Sequence, residues 1–200
     1  MKLAKRSLCL LLVLSAVFGM TGCKKSRFSL EDICEYAEDE DYEEFDDLEE
    51  FYPFVGARGF GDGNVYISVK GSEAEEVFNL LIYRFEPDHP DYDLTEATVL
   101  FASDDDGICM IIAATFKDTK DANEFLKKYP KSLDYDEEDK GNKNSCSYYI
   151  GNGKATGSRT MATGVYLSGN TVIWLKTLAE DCDAAEDFCK HFKLISPLDT

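Results

Sequence analysis

A strand-then-helix unit that recurs three times constrains this chain's fold more than any other feature. Val65 to Lys70 leads into the amphipathic stretch Ser72 to Phe85, Ile108 to Phe116 into Lys117 to Tyr129, and Thr171 to Thr177 into Leu178 to Phe192. Short apolar runs rich in Ile and Val read as strands, and apolar residues three and four apart read as one helix face. Offsetting the chain by 63 residues places Asp118 on Asp181, Ala122 on Ala185, Phe125 on Phe188 and Lys127 on Lys190, with Tyr129 opposite Phe192. A fixed offset of this kind marks an internal repeat. The first copy matches less closely, with Ala74, Val77, Phe78 and Leu81 in comparable places.

Two further strands precede the later copies. Ala97 to Ala102 joins Ile108 through Ser103-Asp104-Asp105-Asp106-Gly107, and Thr163 to Ser168 joins Thr171 through Gly169-Asn170. Asp-Gly and Gly-Asn supply the positive φ that tight hairpins need. With Ser145 to Ile150 as another strand, residues 64–150 read strand, helix, strand, strand, helix, strand, the order of a ferredoxin-like unit. Residues 161–194 then add a hairpin and a helix to the same or an adjoining sheet. The expected class is therefore α+β: an antiparallel sheet with helices packed on it, preceded by acidic N-terminal helices.

Strand alternation assigns faces. Ile108, Met110, Ile112, Ala114, Ile173 and Leu175 are expected on the face that helices cover, with Cys109, Ile111, Ala113, Val172, Trp174 and Lys176 on the other. The second set is also apolar. Either the N-terminal helices cover it, or it is partly open with Tyr66 and Trp174 as a recognition surface for a peptide or glycan.

Those helices open at Phe28-Ser29-Leu30-Glu31-Asp32-Ile33, where Ser29 suits an N-cap, Asp32 follows three residues later and Phe28 can staple to Ile33. Leu30, Ile33, Cys34 and Ala37 recur at helical spacing, and Phe45, Leu48 and Tyr52 continue the stripe. Between Glu31 and Glu50 stand 13 acidic residues and no basic one. Calcium loops need a glycine turn and fixed ligand spacing, both missing here, so the run reads as a solvated acidic face.

The amino terminus carries an address. Lys2, Lys5 and Arg6 precede the uncharged run Leu8 to Met20, whose 13 residues fall short of the ~20 a membrane-spanning helix needs. Residues 1–22 read as a cleaved signal peptide. Met20-Thr21-Gly22-Cys23 resembles the lipobox of bacterial lipoproteins cut by signal peptidase II, with Met20 where Leu is more usual. Small side chains at Thr21 and Gly22 admit the peptidase, and the Cys23 thiol accepts the diacylglyceryl group. The resemblance implies a lipidated Cys23, a short tether over residues 23–27 and a single domain over 28–200, held at the cell membrane on its extracytoplasmic side. Each buried lipid methylene contributes roughly 0.8 kcal/mol, so two or three chains anchor durably. The body resembles, in overall style, lipoproteins of Gram-positive anaerobes to which no activity is assigned.

Losing residues 1–22 removes three basic residues and no acidic one, which takes the formal charge from −18 to about −21. Such a balance opposes nucleic-acid binding, which needs clustered Lys and Arg on phosphates. Beyond Cys9 and Cys23 remain Cys34, Cys109, Cys146, Cys182 and Cys189, an odd set without CxxC spacing. They are expected as small buried apolar residues, with one disulfide involving Cys34 or Cys146 as the alternative. Cys182 and Cys189, seven apart on a predicted helix, would stand ~10 Å from each other, too far to pair.

Catalytic constellations are scarce. His89 lies among Asp88, Asp91 and Asp93, but Pro87 and Pro90 account for that segment as a loop, and His191 suits a helix C-terminus. Cys189 and His191 are two apart on a helix and face different ways. Gly151 to Ser158 is rich in glycine but leads into another strand, unlike a phosphate loop. No catalytic residue, metal site or cofactor is expected. The reading is a non-catalytic binding or envelope-interaction module whose partner is a peptide, glycan or envelope protein; the alternative is a hydrolase using carboxylates such as Asp104 to Asp106. A Cys23→Ser chain is expected to leave the membrane fraction for the soluble extracytoplasmic fraction. Its retention in detergent-extracted membranes contradicts the lipid anchor.

Overall fold

The computed structural model describes residues 27–55, 63–83, 90–103, 107–132, 135–154, 160–178 and 182–199. The leader, Cys23, His89, Asp104 to Asp106 and Ala155 to Ser158 lie outside the described residues. Described elements run α1 (Leu30–Asp39), β1 (Glu43–Glu44), α2 (Leu48–Val55), β2 (Gly63–Lys70), α3 (Ser72–Tyr83), β3 (Leu94–Ser103), β4 (Ile108–Phe116) and α4 (Thr119–Lys128). A 3₁₀ turn (Tyr129–Ser132), β5 (Glu137–Lys143), β6 (Cys146–Lys154), β7 (Thr160–Ser168), β8 (Thr171–Thr177) and α5 (Asp183–His191) follow. The class is α+β, with five described helices around one mixed eight-stranded sheet in the order β1-β2-β3-β4-β8-β7-β6-β5. No described helix is long and apolar enough to cross a membrane.

Local chemistry sets the helix starts. Ser29 caps α1: its hydroxyl accepts from the Asp32 amide at 3.2 Å, and the Asp32 carboxylate accepts from the Ser29 amide at 2.7 Å. This reciprocal pair satisfies two donors the first turn leaves free. Asp118 caps α4 by accepting from the amides of Lys120 and Asp121 at 2.8 and 2.9 Å. Cys182, expected inside a helix, instead precedes α5 at its N-cap position.

The pairing departs from the ferredoxin-like expectation. Strands β2 and β3, joined through α3, pair antiparallel, with Lys70 opposite Glu96. Ten residues separate Tyr83 from Leu94, enough chain to return along the ~18 Å of a 12-residue helix, so β3 starts beside the end of β2 and runs back. An unforeseen strand, β5, also intervenes. Its sequence, Glu-Glu-Asp-Lys-Gly-Asn-Lys, has no apolar alternation and pairs only with β6, at the sheet's edge.

The faces need a second correction. In the β4–β8 ladder Ile112 stands opposite Trp174 and Ala113 opposite Ile173. Directly paired residues share a face. Ile112, Ala114, Val172 and Trp174 therefore point to one side, where Phe51 of α2, Phe78 of α3 and Phe125 of α4 meet them. Ile111, Ala113, Ile173 and Leu175 point to the other, under Ile33 of α1 and Phe188 of α5. The repeat holds in element order, yet its two copies dock helices on opposite faces. Carrying the 63-residue offset onto the strands puts Ile112 with Leu175, one residue out of phase with the ladder, and a one-residue slip exchanges faces.

Trp174 is 3% exposed and Tyr66 1%, and they lie in the cores of opposite faces, so they form no common recognition surface. On the α4 side Phe125 packs on Phe78 and Tyr129, with ring centroids 5.3 and 5.1 Å apart, and Tyr129 meets Trp174 edge-on at 6.4 Å. On the other, Phe188 meets Tyr36 at 5.3 Å and Phe192 at 4.7 Å. Offset and edge-to-face aromatic pairs contribute about 0.5–1.5 kcal/mol beyond burial. Phe125→Ala and Phe188→Ala are each expected to lower unfolding free energy by about 3–5 kcal/mol, read from urea midpoints. A loss below about 1 kcal/mol at either position contradicts the two-core arrangement. Acrylamide is expected to quench Trp174 only weakly.

Candidate functional site

The helices on the α4 side reach across β4, β8 and β7 and stop there. At its C-terminus α4 passes into the 3₁₀ turn containing Pro130, which cannot continue the hydrogen-bonded ladder. Strands β6 and β5 extend beyond. Their hairpin closes at Asn144 and Ser145, with φ of 54° and 66°, the two positive values a tight two-residue turn requires.

Between the end of α4 and this hairpin lies a groove of about 620 Å³. One cross-strand row runs into it from the core: Ile112, Trp174, Val165, Tyr149 and Lys140 are successive partners on β4, β8, β7, β6 and β5. Apolar packing thus passes through a tyrosine, 9% exposed, to a charged rim. Lys127 and Lys131 stand on the helical wall and Lys140 on the strand wall, with Asn142 and Ser147 alongside.

Hydrogen bonds fix this lining. The Tyr149 hydroxyl donates to the Glu138 carboxylate, and Ser147 donates to Asn142 Oδ1 at 2.6 Å. Lys140 lies 3.8 Å from Glu138, so the one carboxylate of the lining is engaged twice. Tyr148, whose side chain leaves β6 toward the opposite side, donates to Asp139 at 3.0 Å. Its ring crosses Gly141, where a Cβ would stand 2.9 Å from the hydroxyl, so glycine permits the approach. Burial, then the bonded Glu138, raises the Tyr149 hydroxyl well above its ordinary pKa, which keeps it a donor.

A second depression, about 310 Å³, lies between α2 and α3 and is lined by Asp46, Asp47, Glu49, Glu73 and Glu76. The Tyr52 hydroxyl donates to Glu76 at 3.2 Å and is pushed up to about 12 by burial and by that carboxylate. No group of three or more His, Cys, Asp or Glu among the described residues is placed to hold a metal ion. His191 packs its ring on Tyr36 and Phe192 at 4.9 and 4.8 Å, at the C-terminus of α5.

None of the five described cysteines forms a disulfide. Burial pushes Cys146 up to about 11 and Cys189 to about 12, and Cys182 beside it together with burial raises Cys109 well above the ordinary thiol value. Held as thiols, these three are poor nucleophiles.

The groove escaped the sequence reading because its walls come from α4 and from the polar edge strand. A usable trace existed: eight of the chain's 21 Lys and Arg fall between Lys117 and Lys154. Compared with protein-family models, curated proteins and solved structures, the chain shows no match in any of the three.

Burial pushes Tyr66 and Tyr135 up to about 12, with nearby Glu44 and Glu38 adding to the effect at Tyr66. An unfolded tyrosine titrates near 10. A raised folded pKa gives stability that is fully present below pH ~10 and is lost as pH rises from 10 to 12. Urea midpoints are expected to fall between pH 9.5 and 11, with part of the tyrosinate absorbance appearing only on unfolding. A midpoint unchanged to pH 11 contradicts these buried hydroxyls.

Proposed function

We propose that the protein is a lipid-anchored, extracytoplasmic, non-catalytic binding module, and that the groove between α4 and the β5–β6 hairpin takes its ligand. The leader and the Cys23 lipobox support the anchor. The observation that carries the binding reading is the groove itself, a concave surface with an aromatic floor, fixed polar groups and lysines on two walls.

The tether adds an orientation. Arg27 is tied to the domain: its amide donates to Ser168 Oγ at 2.8 Å and its guanidinium to the carbonyls of Phe192 and Lys193 at 2.8 and 3.2 Å. Four residues of chain from Cys23 span at most ~14 Å. The surface holding Arg27, Lys143 and Lys193 therefore faces the bilayer, with its cations toward anionic headgroups. The acidic first helix carries Glu31, Asp32, Glu35, Glu38 and Asp39 and adds to the negative exterior that keeps the tethered domain in solution.

A photo-cross-linking side chain placed at Lys131, in cells bearing the full-length chain, is expected to capture an envelope component that the same side chain at Glu73 does not. Equal capture at both positions, or none at Lys131, contradicts the groove as the binding site.

A further inference from the structure

We infer that the groove selects an anionic saccharide, a sugar unit carrying a single carboxylate or phosphate. The inference rests on the binding-module reading and assigns its ligand class.

Charge comes first. The whole chain has 39 acidic residues against 21 Lys and Arg, yet the groove lining holds Lys127, Lys131 and Lys140 against Glu138 alone. Lys128, one residue from Lys127, pairs with Glu124 at 2.5 Å. Lys127 and Lys131 have no ion pair among the described residues, and Glu138 is already engaged by Tyr149 and Lys140. These two ammonium groups and a third across the groove make a local site for an anion. The field of the remaining surface opposes a polyanion, since like charges within a Debye length of about 8–10 Å repel. A single anionic group on an otherwise neutral body fits both conditions.

The body is read from the rest of the lining. The Tyr149 hydroxyl is tied to Glu138, so its ring is held as a rigid floor, a surface of the kind on which the C–H face of a sugar stacks. Asn142 accepts from Ser147 through Oδ1, and its amide NH2 has no protein partner among the described residues, which leaves donors for hydroxyl oxygens. At about 620 Å³ the groove exceeds what a bare ion fills. An acidic peptide would also meet the charge, and the amino-acid derivative in the titration separates it from the sugar.

The test is a titration of the ¹⁵N-labelled protein, followed by backbone amide shifts, with glucuronic acid, glucose 6-phosphate, glucose, acetate, inorganic phosphate and N-acetylglutamate amide. Saturable shifts confined to residues 126–131 and 138–149 are expected with glucuronic acid, glucose 6-phosphate or both, and the pair separates carboxylate from phosphate. Glucose, the bare anions and the amino-acid derivative are expected to bind at least about ten-fold more weakly. Lys131→Gln and Lys140→Gln, with unchanged thermal midpoints, should each weaken the anionic sugar about five-fold or more, and so should raising salt. Glucose or a bare anion binding as tightly as the anionic sugar overturns the inference. So does the amino-acid derivative doing so, or the absence of saturable shifts with either anionic sugar. Capture from Lys131 without sugar binding would sink the ligand class alone, whereas loss of that capture sinks the binding module.

Discussion

Ile112 lies directly opposite Trp174 where β4 pairs antiparallel with β8, and that register decides which residues of both strands reach each face. β4 and β8 belong to successive copies of one strand-helix unit, and both are apolar on both sides. Joined at the middle of the sheet, they require cover above and below. Helices α2, α3 and α4 cover the Trp174 face, and α1 and α5 the face of Ile173 and Leu175. Two aromatic cores result, with the Tyr129 to Trp174 contact near the margin of the first.

The groove follows from the same geometry. Three helices do not span eight strands, and the row through Ile112, Trp174, Val165 and Tyr149 emerges past α4 at Lys140. Covered positions on this row are apolar, while the position beyond the last helix carries a charge. The chain's negative balance sharpens the contrast, because its carboxylates crowd elsewhere, as between α2 and α3, while lysines gather at the end of α4.

Much of the element plan was legible in the sequence. The α1 capping box and the hairpin at Gly169 were written in local chemistry, and Gly169 adopts the positive φ of 65° that turn needs. Phase was not legible. Ile111-Ile112-Ala113-Ala114 is apolar at every position, so alternation cannot say which side each residue takes, and the repeat offset suggested the wrong one. Strand β5 was hidden because an edge strand needs no apolar face, and its pairing comes from the β6 backbone. The groove combines that strand with the end of a helix preceding it, a juxtaposition that only the folded sheet reveals. The ferredoxin-like expectation failed on connection length, for the chain between Tyr83 and Leu94 permits return rather than forward crossing.

The central claim is the register of the two middle strands, and side-chain nuclear Overhauser contacts measure it most directly. The Ile112 methyl groups are expected to show contacts to the Trp174 indole, on the side where Phe125 packs. Contacts from Ile112 to Leu175 or Ile173 side chains, with none to the indole, would place the strands one residue out of phase and contradict the account.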